Sequence, residues 1–342
     1  MRFGAALPTC AEGLGFPIGF ASPDALARIA ERAEALGFYA VMANDHLSTP
    51  SSVRTAFDQP PNFYEPLTIL AWCAARTERI KLMTGAIALP MREPVVLAKQ
   101  VTTLDQCCDG RLIVGVAAGA HREEFEATRP DLRHAWRADM LDEGVQALRI
   151  LLGERRASFH GRYYHFEDVE LYPKARQPRL PLFVAGNTDR AIRRTARWGD
   201  GWLPASLPLP RLAAGGARLR AEAEEAGRDP ARLSVATQLV VCLGRTQAEA
   251  EERFKASPVY EEWTTVGLSG IPLDGFLGAN LIGTPEEVCR RVAAIEQAGV
   301  DHLAGLVFPG HTVDEVLDQM EEFSSTVLKQ FPEPSRAGGT SR

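Results

Sequence analysis

Several features that mark membrane, secreted and zinc-dependent proteins are absent from this sequence of 342 residues. No apolar run approaches the roughly 20 residues that a membrane-spanning helix needs. The N-terminal segment MRFGAALPTC lacks the basic region and apolar core of a signal peptide. The six cysteines form no C-x-x-C pair and the seven histidines no H-E-x-x-H motif. We therefore expect a cytoplasmic protein with reduced thiols, no metal site and no membrane contact.

The composition is that of a globular enzyme. Hydrophobic residues make up 45% and charged residues 24% of the chain, which excludes disorder and small disulfide scaffolds. The net charge of −6, from 38 basic and 44 acidic residues, argues against nucleic-acid binding. Residues 1–328 are predicted to form one domain. The tail 329–342, rich in Pro, Gly, Ser and Arg, is predicted to be disordered.

Strands and helices alternate along the whole chain. Ser22-Pro23 predicts a helix start, and Gly37 and Gly299 each end a helix just before an apolar strand. About eight strand-helix pairs follow one another, with strands beginning near residues 2, 38, 80, 111, 181, 200, 233 and 302. This pattern predicts an α/β fold, a closed (β/α)8 TIM barrel. The rival, an open doubly wound sheet, would carry a G-x-G-x-x-G motif at its first turn, where this chain has Leu7-Pro8-Thr9-Cys10.

Two insertions interrupt the alternation, one after strand four and one after strand seven. In the first, the polar and aromatic segment SFHGRYYHFEDVELYPKARQPRLP predicts a hairpin excursion, with His160 and His165 as structural residues beside its turn. The second, residues 257–280, is rich in Gly, Pro and aromatic residues without periodicity. A segment of this kind is usually a lid, a binding loop or disordered.

Active sites of such barrels lie at the carboxyl ends of the strands, so the residues that follow each strand are the candidates. Asn44-Asp45-His46 follow strand two, where polar groups at the end of an apolar strand need hydrogen-bond partners. They are either a site for hydrogen bonding or proton transfer, or structural residues, with Asp45 capping a turn and His46 packing beneath the next loop. Ala117-Ala118-Gly119-Ala120-His121 follow strand four. We interpret the adjacent Glu123 and Glu124 as residues that favour a helix N-terminus.

The other two rim segments are rich in small residues. Gly85-Ala86 follow strand three and would let a flat ligand lie against the backbone, unless they form a simple bulge. Ala185-Gly186-Asn187-Thr188 follow strand five and open a helix, where free N–H groups bind anions. Together these segments suit a phosphorylated planar cofactor.

Four blocks carry a resemblance to a known superfamily. They are RIAERAEALGFYAVMANDHL, REPVVLAKQVTTLDQCCDGRLIVGVAAGAHREEF, FHGRYYHFEDVELYPKARQPRLPLFVAGNTDRAIRRTARWGDGWLPA and LIGTPEEVCRRVAAIEQAGVDHL. The chain resembles the luciferase-like monooxygenases over roughly residues 1–328. That superfamily contains FMN-dependent monooxygenases and oxidoreductases that use the deazaflavin coenzyme F420.

The resemblance implies a cofactor site. The ring would rest on Gly85 and Ala86, where family members often have a non-prolyl cis peptide, and beside Ala118 and Gly119. The phosphate would be held by Ala185, Gly186, Asn187 and Thr188. An Asp-His pair such as Asp45-His46, after Asn44, is typical of deazaflavin-using members and favours F420, with FMN as the alternative. His46 is then the first proton-transfer candidate, His121 the second, and Asp45 would orient His46 or the cofactor.

One block departs from the deazaflavin-dependent dehydrogenases of the superfamily. Those enzymes carry G-T-G-E after strand four, and here the residues are Ala117 to Ala120. Their sugar-phosphate oxidation is therefore not expected. We expect hydride transfer to or from a small or medium-sized, partly apolar organic substrate, such as a natural-product intermediate.

The resemblance leaves alternatives and partners to consider. The alternatives are FMN-dependent monooxygenation and an inactive barrel that only binds a ligand. An aldolase or isomerase ranks low because none of the five lysines lies at a strand end. A reductase would supply the reduced cofactor. The family commonly dimerises, and helices 65–76 and 93–106 carry apolar positions that predict a homodimer.

Overall fold

The computed structural model describes residues 1–13, 15–56, 58–265 and 272–332. Eight strands form the central barrel. They are β1 (Arg2–Leu7), β2 (Ala40–Ala43), β3 (Lys81–Thr84), β4 (Leu112–Ala117), β5 (Leu182–Ala185), β6 (Gly201–Leu203), β7 (Ser234–Leu243) and β8 (His302–Val307).

The barrel is closed by parallel pairing throughout. Each strand pairs with the next, from β1–β2 through β6–β7 and β7–β8. The pairing of Arg2 with His302 joins β8 back to β1. The (β/α)8 prediction is thus confirmed, and all eight strands begin within two residues of their predicted positions.

Helices surround the barrel. They are α1 (Pro23–Leu36), α2 (Ser51–Ala56), α3 (Pro66–Ala74), α4 (Pro94–Cys107), α5 (Arg122–Thr128), α6 (Arg137–Gly153), α7 (Asp189–Trp198), α8 (Leu209–Glu225), α9 (Gln247–Lys255), α10 (Pro258–Thr265), α11 (Leu273–Ala279), α12 (Pro285–Gln297) and α13 (Val313–Thr326). None of the described helices is long and apolar enough to cross a bilayer.

Local chemistry explains where the helices begin and end. The Ser22 hydroxyl accepts a hydrogen bond from the Ala25 N–H at 3.1 Å and caps α1. Gly37 and Gly299, which follow α1 and α12, have φ angles of 85° and 86°. This left-handed backbone favours glycine, so both residues turn the chain towards the next strand as predicted.

Both predicted insertions are present. After β4 come α5, α6 and an antiparallel hairpin of strands Arg156–His160 and His165–Glu170. After β7 come α9, α10, α11 and a short strand, Leu281–Gly283, parallel to β7. Helices α10 and α11 lie within 257–280 and were not predicted, because helices of eight residues or fewer are too short to give a clear periodic pattern. Residues 266–271 of that segment lie outside the described residues.

The described structure continues to residue 332, beyond the predicted domain end at residue 328. A turn of 3-10 helix covers Leu328–Gln330. The Phe331 ring then packs edge-on against Phe3 of β1, 6.1 Å away. Burial of this aromatic ring holds the segment to the barrel despite its polar neighbours. The remainder of the predicted disordered tail, 333–342, lies outside the described residues.

Candidate active site

The barrel rim contains a buried hydrogen-bonded pair of side chains that joins the residues after β2 to helix α5. The Nδ1 atom of His46 lies 2.9 Å from Oε2 of Glu124. The Glu124 side chain is 1% exposed and that of His46 15% exposed. The second Glu124 oxygen accepts hydrogen bonds from the backbone N–H groups of Leu47 and Ser48. Helix α5 therefore fixes the turn that carries His46.

The charge of Glu124 determines how His46 holds its proton. Burial raises the pKa of the Glu124 carboxyl, but the hydrogen bond and charge of His46 and the two backbone N–H groups outweigh burial and lower it. Glu124 is consequently ionised at neutral pH. An ionised carboxylate only accepts hydrogen bonds, so Nδ1 of His46 must donate. In the neutral ring Nε2 is then left as a proton acceptor.

His121 and Phe63 complete this cluster. The His121 ring lies 5.4 Å from the His46 ring, and the Phe63 ring lies 5.6 Å from it on the loop after β2. Burial, and then the neighbouring His46, lowers the pKa of His121, so this ring is neutral at pH 7. The structure thus places both predicted histidines together, beside an aromatic wall.

Asp45 faces away from this cluster and supports the segment after β3. Its carboxylate accepts a hydrogen bond from Nη2 of Arg92 at 2.7 Å and one from the backbone N–H of Ala88 at 3.0 Å. Burial raises the pKa of the Asp45 carboxyl, and the Arg92 charge opposes that rise. Asp45 therefore orients the backbone of the rim, because the contacts of its side chain are with Ala88 and Arg92.

The segment that Asp45 supports contains the cis peptide bond between Gly85 and Ala86, at the position that the resemblance implied. Gly85 is buried, and a side chain there would need Met42 to move. A Cβ atom there would lie 2.1 Å from Sδ of Met42, which fills the barrel interior below. Backbone, rather than side chains, therefore forms this part of the rim, where a flat ring could rest.

The small residues after β4 pack against that segment. Gly119 has a φ angle of 83°, and a Cβ atom there would lie 3.5 Å from Cβ of Ala88. The Gly119 carbonyl accepts a hydrogen bond from Arg137 at 2.9 Å. Ala118 is half-buried beside it. These contacts place the two predicted residues next to the cis peptide segment.

The segment after β5 forms the start of α7, as predicted. Thr188 caps the helix and accepts a hydrogen bond from Ala191, while the Asn187 side chain accepts one from the Ala205 N–H at 3.0 Å. Gly186 has a φ angle of 137°. The negative charge of Asp189 in the first turn is paired with Arg218 at 2.5 Å. The helix N-terminus therefore keeps its attraction for an anion.

Asn44 and Cys10 lie near the ends of β2 and β1. The backbone N–H of Asn44 donates to the Thr9 hydroxyl at 2.9 Å, which ties the ends of β1 and β2 together. The Asn44 side chain is half-buried at the rim. Burial raises the pKa of the nearby Cys10 thiol to about 12. Cys10 is therefore protonated at neutral pH and is not a nucleophile.

The whole-chain comparisons agree with this geometry. The model of the luciferase-like monooxygenase family matches residues 1–302. The chain belongs to this family.

Relatives within the luciferase-like family use two different cofactors. The chain is 31% identical to the FMNH(2)-dependent dimethylsulfone monooxygenase of Pseudomonas putida, covering 81% of this chain and 80% of that protein. It is 28% identical to the F420-dependent glucose-6-phosphate dehydrogenase of Kineococcus radiotolerans, covering 90% and 93%. The monooxygenase RslO1 from Streptomyces bottropensis has the same fold, with a TM-score of 0.79, 26% identity and coverage of 96% and 99%. A flavin or deazaflavin cofactor is thus supported.

The rim of this luciferase-like barrel fits such a cofactor. Gly85-Ala86 and Gly119 form a wall of backbone and small side chains, and the start of α7 supplies a helix N-terminus, which attracts anions. His46 follows β2 and His121 follows β4, so both lie at the same end of the barrel as these segments. A planar ring with a phosphorylated side chain matches this combination of an apolar platform and a helix N-terminus.

Two residues of this site, Glu124 and Arg92, have partners that the sequence did not predict. Glu124 was interpreted as a helix-end residue, which is correct for its position, but its carboxylate binds His46. Arg92 was not considered, although it holds Asp45. The only signal for Glu124 was its place in the family-like block HREEF, and nothing in the sequence distinguished it from the exposed Glu123.

Proposed function

We propose that this protein is an F420-dependent oxidoreductase that transfers a hydride between the deazaflavin and an organic substrate. The observation that carries the proposal is the buried Glu124 carboxylate, which accepts from Nδ1 of His46 and leaves Nε2 free for proton transfer. The Asp-His pair after β2, typical of deazaflavin-using relatives, favours F420 over FMN. When bound, F420 supplies a two-electron hydride donor or acceptor at its ring.

The protein residues then have separate tasks. Gly85, Ala86, Ala118 and Gly119 would support the ring, and Ala185 to Thr188 would bind the phosphate. Asn44 would contact the cofactor at the edge of the rim, and Asp45 would hold the ring platform through Ala88. His46 would give a proton to the substrate or take one from it while the hydride moves, with His121 as a neutral neighbour.

The wall of the site indicates the substrate class. Phe63 is half-buried beside His46, and Leu47 is 41% exposed next to it in sequence. Both are apolar and lie on the loop after β2. We therefore propose a partly apolar small-molecule substrate with a carbonyl, alcohol or activated double bond.

Separate titrations of the purified protein with F420 and with FMN test the cofactor. Protein fluorescence and cofactor absorbance report binding. We expect F420 to bind at least tenfold more tightly than FMN, since the Asp-His pair favours the deazaflavin. Tight binding of FMN alone would overturn the proposal, and binding of neither would support a catalytically inactive barrel.

The second candidate is an FMN-dependent monooxygenase, and the relative from Pseudomonas putida favours it. Such an enzyme needs reduced flavin from a separate reductase. Oxygen consumption that depends on FMN and an added flavin reductase distinguishes this activity from hydride transfer under nitrogen.

We also propose a homodimer that forms through α3 and α4. Trp72 of α3 is 45% exposed and Val96 of α4 is 56% exposed, so both helices present apolar surface that a second copy could cover. The double variant Trp72→Glu, Val96→Glu should be monomeric by light scattering where the wild type is dimeric. A monomeric wild type at micromolar concentration would contradict the proposal.

A further inference from the structure

The hairpin inserted between α6 and β5 has two different faces. Phe159 and Phe166 stack on the inner face, with ring centroids 6.0 Å apart, and Tyr164 is buried with its hydroxyl 3.4 Å from the Leu89 carbonyl. The outer face is exposed and carries His160, His165 and Glu167. The two histidines, predicted to be structural residues, are exposed, and the inner face supplies the packing.

Strand geometry places these three side chains together. His160 and His165 pair directly across the two antiparallel strands, so their side chains lie on the same face. Glu167 follows His165 by two residues and lies on that face as well. The potential ligand atoms of the three residues lie within 4.8 Å of one another.

The distance between the imidazoles matches a metal site. Nδ1 of His160 lies 3.3 Å from Nδ1 of His165. With metal–nitrogen bonds of about 2.0–2.1 Å, two nitrogen ligands of a tetrahedral ion lie about 3.3–3.4 Å apart. Without a metal, one ring must donate a hydrogen bond to the other, and such a bond between two exposed side chains contributes little net stability.

We propose that the outer face of this hairpin binds a divalent first-row transition-metal ion, such as Zn²⁺, through His160, His165 and Glu167. Imidazole nitrogens suit zinc, copper and nickel, and a carboxylate oxygen completes a common three-ligand set. Water would occupy the fourth position. The buried inner face holds the two strands in place, so little backbone conformational entropy is lost when the ion binds.

Calorimetric titration of the chelator-treated full-length protein with Zn²⁺ tests the proposal. We expect binding of one ion per chain at this site. His160→Ala and His165→Ala should each weaken it at least about tenfold, since even residues that only support a metal ligand change affinity by about 10–100-fold. Glu167→Gln should weaken binding less than either histidine variant.

Matched controls separate this site from other zinc ligands on the surface. His134→Ala removes another exposed histidine, and Cys107→Ser removes the exposed thiol. Both should leave the affinity of the hairpin site unchanged. The absorption spectrum of bound Co²⁺ should show tetrahedral bands in the wild type that are lost in His165→Ala.

Two results would overturn the proposal. One is a wild-type protein that binds no Zn²⁺ at millimolar concentration. The other is His160→Ala and His165→Ala proteins that bind it with the wild-type Kd. The variants replace exposed side chains only, so an unchanged circular dichroism spectrum is expected for each.

Discussion

Replacement of Glu124 by glutamine should reverse the tautomer of His46. Oε1 of Glu124 binds two backbone N–H groups, those of Leu47 and Ser48, whereas Oε2 binds Nδ1 of His46. A glutamine has one oxygen acceptor and one NH₂ donor. Its oxygen must face the two N–H groups, so its NH₂ faces His46. Nδ1 of the neutral His46 ring must then accept a hydrogen bond from this NH₂, so Nε2 must carry the ring hydrogen.

The size of the effect follows from these contacts. Three hydrogen bonds to a charged group, each contributing about 1.5–3 kcal/mol, are replaced by weaker neutral ones. Because the shape is kept and all three donors and acceptors remain paired, we expect the free energy of unfolding to fall by only about 1–3 kcal/mol. Turnover should fall by about 10²–10⁴-fold, since Nε2 no longer accepts a proton.

Long-range ¹H–¹⁵N spectra of protein labelled at its seven histidines measure the tautomer directly. Glu123→Gln is the matched control, because its exposed carboxylate accepts hydrogen bonds from the N–H and hydroxyl groups of Ser51, at 2.7 and 2.6 Å. This control should keep the wild-type His46 tautomer and turnover. A Glu124→Gln protein in which Nδ1 still carries the hydrogen, or whose turnover stays within threefold of wild type, would refute the reasoning.

Three other predictions concern stability. Gly85→Ala should cost about 1–3 kcal/mol in urea unfolding, because its Cβ would lie 2.1 Å from Sδ of Met42. In a Met42→Ala background the same substitution should cost less, and additive effects of the two substitutions would contradict the clash. Asp45→Ala should cost about 1.5–3 kcal/mol, because the charged carboxylate that holds Arg92 and the Ala88 N–H is lost while Glu65 still pairs with Arg92; a loss below 1 kcal/mol would contradict this account. The pKa of Glu124 is lowered in the folded protein. Its ionised carboxylate therefore stabilises the folded state fully above the ordinary pKa of 4.5, and this contribution to the free energy of unfolding is lost as pH falls through the folded pKa. Glu124→Gln should flatten this acid limb in unfolding measured against pH, and an unchanged acid limb would show that Glu124 is not responsible.

Much of the fold could be predicted because its signals are local. Ser22 caps a helix and Gly37 ends it through contacts within a few residues. The succession of about eight strand-helix pairs was then enough to predict the closed barrel. Short helices such as α11 were missed, because seven residues give too few turns for a periodic pattern.

The site could be predicted only in outline. The sequence by itself determined which segments reach the barrel rim, because strand ends in a parallel barrel meet on one side. It therefore identified His46, His121 and Gly85 as rim residues. It did not determine the partners of those residues, since Glu124 is 78 positions from His46 in the chain.

Only the tertiary structure decided the roles within the rim. It directs Asp45 to Arg92 and Ala88, and it gives His46 the buried carboxylate of Glu124. The physical reason is that hydrogen bonds act over about 3 Å and depend on direction. The identity of two residues far apart in sequence does not specify whether their atoms meet, and only the packing of the barrel and its surrounding helices brings them together.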